Sequence, residues 1–263
     1  MSSELSNDQL MRYARHILLD EFGIEAQQRI SSARVLVVGA GGLGSPAALY
    51  LAAAGVHTLT LVDDDEVELS NLQRQILHDN HRVGVNKAIS GQQTLAKLNP
   101  EVIVQPISRR LGHEDLLPLV AEHDVVLDCT DNFATRHAIN RACVAHRKPL
   151  VSGAGIRFAG QMSVFDMRDP DAPCYHCLFP EAQDYEELRC ATTGVLGPLV
   201  GIVGCVQAAE ALKVLGGFGE TLVGRLMSLD ALRMQWHTVR FRKDPQCAVC
   251  ATQKSVPAAN AHV

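Results

Sequence analysis

Residues 35–44 read VLVVGAGGLG, a charge-free apolar run that leads directly into a glycine-rich turn. An Ala- and Leu-rich stretch follows and stops at Ala54-Gly55, so the segment predicts a strand, a tight turn and a helix. A second apolar run, LTLV at 59–62, ends at Asp63, nineteen residues past Gly44. Together these segments predict a β-α-β unit of the size found in doubly wound α/β folds.

Strand and helix patterns alternate further along the chain. Up to Pro149 the helical patterns and apolar runs follow in the order 87–98, 102–104, 115–121, 125–127 and 134–146. Such alternation predicts a parallel sheet with helices on both faces. Later runs are shorter and surround a helical pattern, at 162–165, 199–215, 225–229 and 234–241. We therefore predict an α/β fold, a Rossmann-like, doubly wound, mainly parallel sheet with added C-terminal strands.

The start of the chain carries the signals of an amphipathic helix. Ser6 followed by Gln9 resembles a capping box, and apolar residues recur at helical spacing, at Leu10, Tyr13, Ile17 and Leu18. We predict one domain over 1–254. Its parts are a helical arm at about 5–31, a core at about 33–150 and a later part at about 151–250, with a disordered tail at 255–263.

Composition excludes several classes of protein. With 47% apolar and 20% charged residues in 263, the chain can bury a core, and its net charge of −5 argues against nucleic-acid binding. Eight cysteines are too few for a disulfide scaffold. Charges within 1–20 interrupt any export signal, so we expect a cytoplasmic protein. The charge-free stretch 191–209 contains Pro198 and four glycines, which favours a loop followed by a buried or interface helix over a membrane span.

The glycine turn is typical of a nucleotide site. Gly39, Gly41 and Gly44 allow a tight turn and close approach of the backbone, so that a phosphate can lie at the N-terminus of the following helix. Asp63 would then accept hydrogen bonds from ribose hydroxyls. A tight β-α turn without a ligand is the alternative, and the turn alone does not identify the nucleotide.

Charged residues downstream favour a triphosphate over a nicotinamide cofactor. Arg74 and Lys87 could clamp phosphates, and Asp131, after the apolar run at 125–127, could hold Mg²⁺. Taken singly, Arg74 and Lys87 would be ordinary surface cations. A dry hydride-transfer site has little use for so many charges, so the combination favours phosphate chemistry.

Two CxxC pairs, Cys174/Cys177 and Cys247/Cys250, predict one tetrahedral zinc site in which four thiolates leave no open position. The ion would be structural, and His176 would lie between two ligands without binding the metal. A redox dithiol and unrelated buried thiols are the alternatives.

The remaining cysteines and two histidines are interpreted more simply. Cys129, Cys143 and Cys205 fit core packing, and His78 and His81 fit a solvated loop. Cys190, after Arg189, is either an inert thiol or a reactive one.

In combination, these motifs resemble the MoeB/ThiF (HesA/MoeB/ThiF) family of ubiquitin-activating-enzyme-like adenylyltransferases. The resemblance runs from about Leu10 to Cys250. It rests on GAGGLG at 39–44, LVDDDEVELSNLQRQ at 61–75, DCTDN at 128–132 and the two CxxC pairs. It implies a homodimer that binds Mg²⁺ and ATP, adenylates the C-terminal glycine of a small ubiquitin-like sulfur carrier and releases pyrophosphate. The part at 151–250 would then bind the carrier and zinc.

The resemblance also implies roles for individual residues. The implied catalytic residues are Arg15 (reaching the neighbouring subunit's phosphates), Arg74, Lys87, Asp131 (holding magnesium) and Cys190 (able to link covalently to the carrier). The implied nucleotide-binding residues are Gly39, Gly41, Gly42, Gly44, Asp63, Asp65, Ser70, Asn71, Arg74, Lys87, Asp131 and Asn132. The carrier's carboxylate is itself the nucleophile, so we expect no general base.

The motifs do not decide between two types of sulfur carrier. QRQILH at 73–78 resembles the thiamine branch, with a ThiS-like carrier, whereas VSGAGIR at 151–157 resembles the molybdopterin branch, with a MoaD-like carrier, which we favour narrowly. Because the chain ends 13 residues after Cys250, we expect a separate sulfur donor protein. An NAD-dependent oxidoreductase with structural zinc and a non-catalytic carrier-binding scaffold are the alternatives.

Overall fold

The computed structural model describes residues 4–181 and 193–251. Its centre is one eight-stranded sheet whose strands are β1 (Arg34–Val38), β2 (Thr58–Val62), β3 (Ile103–Ile107), β4 (Val125–Asp128), β5 (Pro149–Ile156), β6 (Ala159–Asp166), β7 (Arg225–Asp230) and β8 (Gln235–Arg240). Their order in the sheet is β3-β2-β1-β4-β5-β6-β7-β8. The first five strands of that order are parallel, and β6 to β8 join antiparallel. The predicted mainly parallel sheet with added strands is confirmed.

Helices cover both faces of the sheet. They are α1 (Asn7–Arg12), α2 (Ala14–Ile17), α3 (Gly23–Ile30), α4 (Gly44–Ala53), α5 (Lys87–Leu98), α6 (His113–Ala121), α7 (Phe133–His146), α8 (Tyr175–Leu178) and α9 (Gly197–Gly216). Val35 and Val37 pack in the core under α3, α4, α5 and α9, whereas Leu36 and Val38 pack in the core under α6 and α7. Side chains of a strand point alternately to its two faces, so each face is apolar and the fold is doubly wound.

The predicted strand at 102–104 is longer in the structure, because β3 continues through Gln105 and Pro106 to Ile107. Neither residue fits an apolar pattern. Since β3 is an edge strand, paired only with β2, a proline is tolerated there and the outer face needs no apolar side chain.

The prediction of a single amphipathic helix at the start of the chain is wrong in detail. The capping box of Ser6 and Gln9 is present, but the helix breaks at Tyr13 and continues as α2 and α3. The Tyr13 side chain is buried, and its hydroxyl accepts a hydrogen bond from Asn99 Nδ2 at 3.0 Å. Leu18, expected on the apolar face, is 70% exposed. The arm therefore follows the contacts of Tyr13 instead of a regular helical period.

Helix α9 has the length and apolar composition that a membrane span would need, and 56% of its most apolar window is buried inside the protein. It packs between α4 and strands β5 and β6. A Cβ on Gly204 would lie 2.2 Å from the Leu43 carbonyl oxygen, so this glycine allows α9 to approach the start of α4 closely. The structure confirms the predicted helix, which is about half buried.

Candidate functional site

The carboxyl ends of β1, β2 and β4 lie side by side. Val38 pairs with Val62 on one side and with Asp128 on the other. The residues that directly follow these ends are Gly39, Asp63 and Cys129. The glycine turn, the acidic run and the segment 129–132 therefore meet at one edge of the sheet, which is where doubly wound folds bind their ligands.

Close packing explains two of the glycines in the turn. Gly39 has φ +97°, and a Cβ there would lie 2.6 Å from the Cys129 carbonyl oxygen. A Cβ on Gly44, the first residue of α4, would lie 1.8 Å from the Gly39 carbonyl oxygen. At Gly41 a Cβ would make an ordinary van der Waals contact, with Gln75 Nε2 at 3.6 Å. Close packing therefore accounts for Gly39 and Gly44 and not for Gly41.

Asp63 is bound to the turn through its carboxylate. Oδ2 accepts a hydrogen bond from the Ala40 N–H at 2.7 Å, and Oδ1 accepts one from the Asp65 N–H at 2.9 Å. Burial raises the pKa of Asp63, while the nearby charge of Lys87 and the two N–H donors lower it. A carboxylate has about four lone-pair positions, so Asp63 can still accept bonds from ribose hydroxyls.

Lys87 begins α5 and is only 6% exposed. Its Nζ lies 2.7 Å from Asp65 Oδ2, and that carboxylate is largely exposed. The neighbouring Asn86 caps the helix and donates from Nδ2 to the carbonyl oxygens of Asp63 and Asp65, at 2.9 and 3.1 Å. Asn86 was not among the predicted site residues, although an Asn directly before a helical pattern is a capping signal. Asn86 and Lys87 together hold the acidic run against α5.

Arg74 lies beside the glycine turn. Its Cγ is 3.5 Å from where a Cβ on Gly42 would be, and its Nη1 donates to the Ser70 carbonyl oxygen at 3.1 Å. Ser70 and Asn71 form a 3₁₀ turn with Leu69, in which Ser70 is exposed and Asn71 is buried. The structure thus brings Ser70, Asn71 and Arg74 to the turn that the glycines shape.

Asp131 and Asn132 lie between β4 and α7. Asp131 is exposed, and Asn132 caps α7 by accepting a hydrogen bond from the Thr135 N–H at 2.9 Å. Behind them lies Asp128, which the sequence analysis missed and which is fully buried. Its Oδ1 accepts from the Thr130 N–H and hydroxyl, and its Oδ2 accepts from the Ser152 hydroxyl at 3.0 Å. The buried carboxylate holds the loop that presents Asp131 to solvent.

The prediction that His78 lies in a solvated loop is wrong, whereas His81 is exposed as expected. His78 is 7% exposed, and its ring joins Ser90 Oγ of α5 to the Ala40 carbonyl oxygen of the turn, each at 2.9 Å. Burial lowers its pKa, so the ring is neutral at pH 7. No local pattern signals these contacts, because Ala40 is 38 positions away.

The two CxxC pairs come together in one cluster. Sulfur separations are 3.9 Å for Cys174–Cys177, 3.7 Å for Cys174–Cys247 and 3.5 Å for Cys177–Cys250, and all four atoms lie within 4.8 Å of one another. Tetrahedral zinc with Zn–S bonds of about 2.3 Å requires sulfurs about 3.8 Å apart. The cluster has the geometry of a zinc site.

The cluster also has surrounding donors. Asn140 Nδ2 lies 3.7 Å from Cys174 Sγ, and the Asp244 N–H donates to Cys177 Sγ at 3.5 Å. His176 is beside the cluster, with Nδ1 3.5 Å from Cys247 Sγ, and is not one of the four ligands. Donors of this kind stabilise thiolates and orient them toward a metal.

The other predicted residues differ in their surroundings. Cys129 and Cys143 are buried in the core, as predicted, and burial raises the pKa of both thiols. Cys205 is only partly buried, so its assignment to the core was too simple. Arg15 is exposed on α2, and no hydrogen bond or ion pair engages it within 4–181 and 193–251. Cys190 lies outside the described residues.

Residues 13–249 match the model of the ThiF family, and the chain belongs to that family. It is 51% identical to the SAMP-activating enzyme E1 of Haloferax volcanii over 95% of this chain and 92% of that protein. Two Escherichia coli K12 proteins are also similar. The sulfur carrier protein ThiS adenylyltransferase is 46% identical over 96% of this chain and all of its own length. The molybdopterin-synthase adenylyltransferase is 45% identical over 94% of this chain and 99% of that protein.

The fold is also that of a solved structure. The crystal structure of E. coli MccB superposes with a TM-score of 0.82 at 22% identity, over 98% of this chain and 77% of that one. At that identity the likeness describes the fold alone.

Proposed function

We propose that this protein is an ATP-dependent adenylyltransferase that activates the C-terminal glycine of a small ubiquitin-like sulfur carrier. The observation that carries the proposal is the meeting of Asp63, Arg74 and Lys87 at the glycine turn, in a chain that matches activating enzymes and adenylyltransferases along nearly their full length. Two cations and a turn of backbone N–H groups suit a triphosphate.

In the proposed reaction, a carboxylate oxygen of the carrier's terminal glycine attacks the α-phosphorus of ATP. A new O–P bond forms, the bond from the α-phosphorus to the bridging oxygen breaks, and its electron pair leaves with pyrophosphate. The nucleophile is already ionised, so no protein base takes a proton. The protein supplies positioning and opposite charge for the phosphates, which are the main sources of catalysis in phosphoryl transfer.

Each side chain has a place in this scheme. Asp63 binds the ribose, and Gly39, Gly41, Gly42 and Gly44 form the phosphate-binding turn. Ser70, Asn71, Arg74 and Lys87 bind the phosphates. Asp131, an exposed carboxylate at the same edge of the sheet, suits Mg²⁺, which would neutralise the charge that develops on pyrophosphate. Asp65 lies beside this group as the partner of Lys87.

Arg15 acts in a homodimer, reaching the phosphates bound by the partner subunit. Its exposure on α2, away from any partner within the part of the chain described, supports a role in another subunit. We further propose a cytoplasmic location and a separate sulfur donor protein, which would displace AMP from the activated glycine.

Replacing Lys87 with Met should lower ATP–pyrophosphate exchange by about a hundredfold or more, since a positioned cation on a transferring phosphoryl group is lost while the apolar stem keeps its volume. The matched control is Lys97→Met, an exposed lysine in the last turn of the same helix, which should exchange at the normal rate. Equal rates for the two variants would contradict the role of Lys87.

Replacing Cys190 with Ala should leave ATP–pyrophosphate exchange within about twofold of the unmodified protein, because formation of the acyl adenylate needs no protein nucleophile. Transfer of sulfur to the carrier is the step in which a thiol could take part. Loss of exchange in a variant that still binds ATP would place Cys190 in the first step and refute this assignment.

The carrier is the finer part of the proposal. We favour a molybdopterin-type carrier, on the resemblance of VSGAGIR at 151–157, over a ThiS-type carrier. Both types end in a glycine whose carboxylate would undergo the same reaction. Exchange rates measured with each carrier separately decide between them, and a faster rate with the ThiS-type protein would reverse our choice.

A further inference from the structure

Both backbone polar groups of Ala40 form hydrogen bonds, each in a different peptide group. Its N–H donates to Asp63 Oδ2 at 2.7 Å, and its carbonyl oxygen lies 2.9 Å from His78 Nε2. A carbonyl oxygen can only accept, so Nε2 of the neutral ring carries the proton. Nδ1 is then the acceptor of a hydrogen bond from the Ser90 hydroxyl, at 2.9 Å. These contacts define one tautomer of His78.

The orientation of the Ala40 carbonyl determines where the next N–H points. The bond between Ala40 and Gly41 is a trans peptide, so the C=O of Ala40 and the N–H of Gly41 point in opposite directions. Because the carbonyl points toward His78, the Gly41 N–H points away from His78. Within the described parts of the chain, it donates to no acceptor, and the nearest atom to a Cβ on Gly41 is Gln75 Nε2 at 3.6 Å. Such an N–H is available to a phosphate oxygen.

His78 is itself held firmly by α5. Ser90 is fully buried in that helix, and Thr94 Oγ1 of the same helix donates to the Leu77 carbonyl oxygen at 2.9 Å. A Cβ on Gly91 would lie 2.8 Å from Leu77 Cδ2, so the segment before His78 packs directly on the helix. The helix that begins with Lys87 therefore also fixes the imidazole that supports the turn.

We propose that His78 is a positioning residue for phosphate binding, which holds the Ala40 carbonyl so that the Gly41 N–H faces the triphosphate of ATP. This inference rests on the proposed function. It adds a residue that does not contact ATP itself and that affects ATP binding through the Ala40–Gly41 peptide group.

Two substitutions at position 78 separate the hydrogen bond with Ala40 from the hydrogen bond with Ser90. In His78→Gln the amide nitrogen can occupy the place of Nε2 and donate to Ala40, whereas in His78→Asn it reaches only the place of Nδ1, beside Ser90. We expect His78→Gln to bind ATP within about threefold of the unmodified protein. His78→Asn should bind ATP at least about tenfold more weakly, which corresponds to the loss of a hydrogen bond to a charged group.

The experiment is titration calorimetry of the full chain with ATP and Mg²⁺, without carrier, and in parallel with adenosine. Adenosine has no phosphates, so its affinity should be the same in all variants. A melting curve without ligand shows whether each variant is folded. Should His78→Asn not fold, Ser90→Ala takes its place. That change removes the hydroxyl that fixes the tautomer, and we expect it to weaken ATP about threefold.

The outcomes are distinct. Equal ATP affinity in His78→Gln and His78→Asn, or in Ser90→Ala and the unmodified protein, would overturn the positioning role. An equal loss for adenosine and ATP would also overturn it. Failure of the unmodified protein to bind ATP would instead overturn the proposed function.

Discussion

Replacing Asp131 with Asn should lower ATP–pyrophosphate exchange by at least about a thousandfold while the melting temperature stays unchanged. Asp131 is exposed, and the loop that carries it is held by the buried carboxylate of Asp128, so an amide at 131 leaves the fold intact. The lost carboxylate would remove a ligand of Mg²⁺ from a triphosphate, and a metal contributes several kcal/mol to the stabilisation of such charge.

The control for this change is Asp171→Asn, which removes the same charge from an exposed turn remote from the glycine turn. It should exchange at the normal rate. Raising the Mg²⁺ concentration should partly restore Asp131→Asn, since the site is weakened and not removed. Exchange at the normal rate in Asp131→Asn would assign the metal to other residues. The carboxylates of Asp63, Asp64 and Asp65, whose oxygens lie within 4.8 Å of one another, would be tested next.

We propose that the four-cysteine cluster holds one structural Zn²⁺, and that removing it lowers the melting temperature by about 10 °C or more. The cluster joins the start of α8 to residues 247–250, so the metal would close a long segment of chain. Zinc held by four thiolates contributes about 10 kcal/mol or more to folding in small domains, and a protein of this size loses about 2–4 °C for each kcal/mol. A chelator with melting curves measures the effect.

A pair of cysteine variants separates the cluster from other thiols. Cys247→Ser should bind less than one zinc per chain and melt early, whereas Cys205→Ser, a partly buried thiol on α9, should keep the metal. Metal analysis of the two proteins checks the stoichiometry. A metal-free protein that melts at the same temperature as the untreated one would contradict the structural role of zinc.

Local signals account for the parts of the fold that were predicted well. The helical pattern at 87–98 coincides with α5, and the run at 59–62 with all but one residue of β2. The run at 59–62 is bounded by a strong local feature, the charges that follow Val62. The glycine turn was equally readable, since a tight turn between strand and helix depends on residues adjacent in sequence.

Contacts between distant segments account for what the sequence analysis missed. The first helix breaks at Tyr13, whose hydroxyl bonds with Asn99, 86 positions later. Asp128 is a buried anchor of the Asp131 loop, and its partner Ser152 reaches it from β5, 24 positions later. His78 was assigned to solvent because it lies in a predicted loop beside the phosphate site, whereas its partners lie in the turn and in α5. The division into an arm, a core and a carrier-binding part stays a prediction.

The most direct measurement is ATP–pyrophosphate exchange with Mg²⁺, using each sulfur carrier with its terminal glycine and again without it. We predict exchange that requires both the protein and the intact glycine, because the carboxylate of that residue is the nucleophile. The absence of exchange with either carrier, in protein that binds NAD in preference to ATP, would contradict adenylation and favour an oxidoreductase.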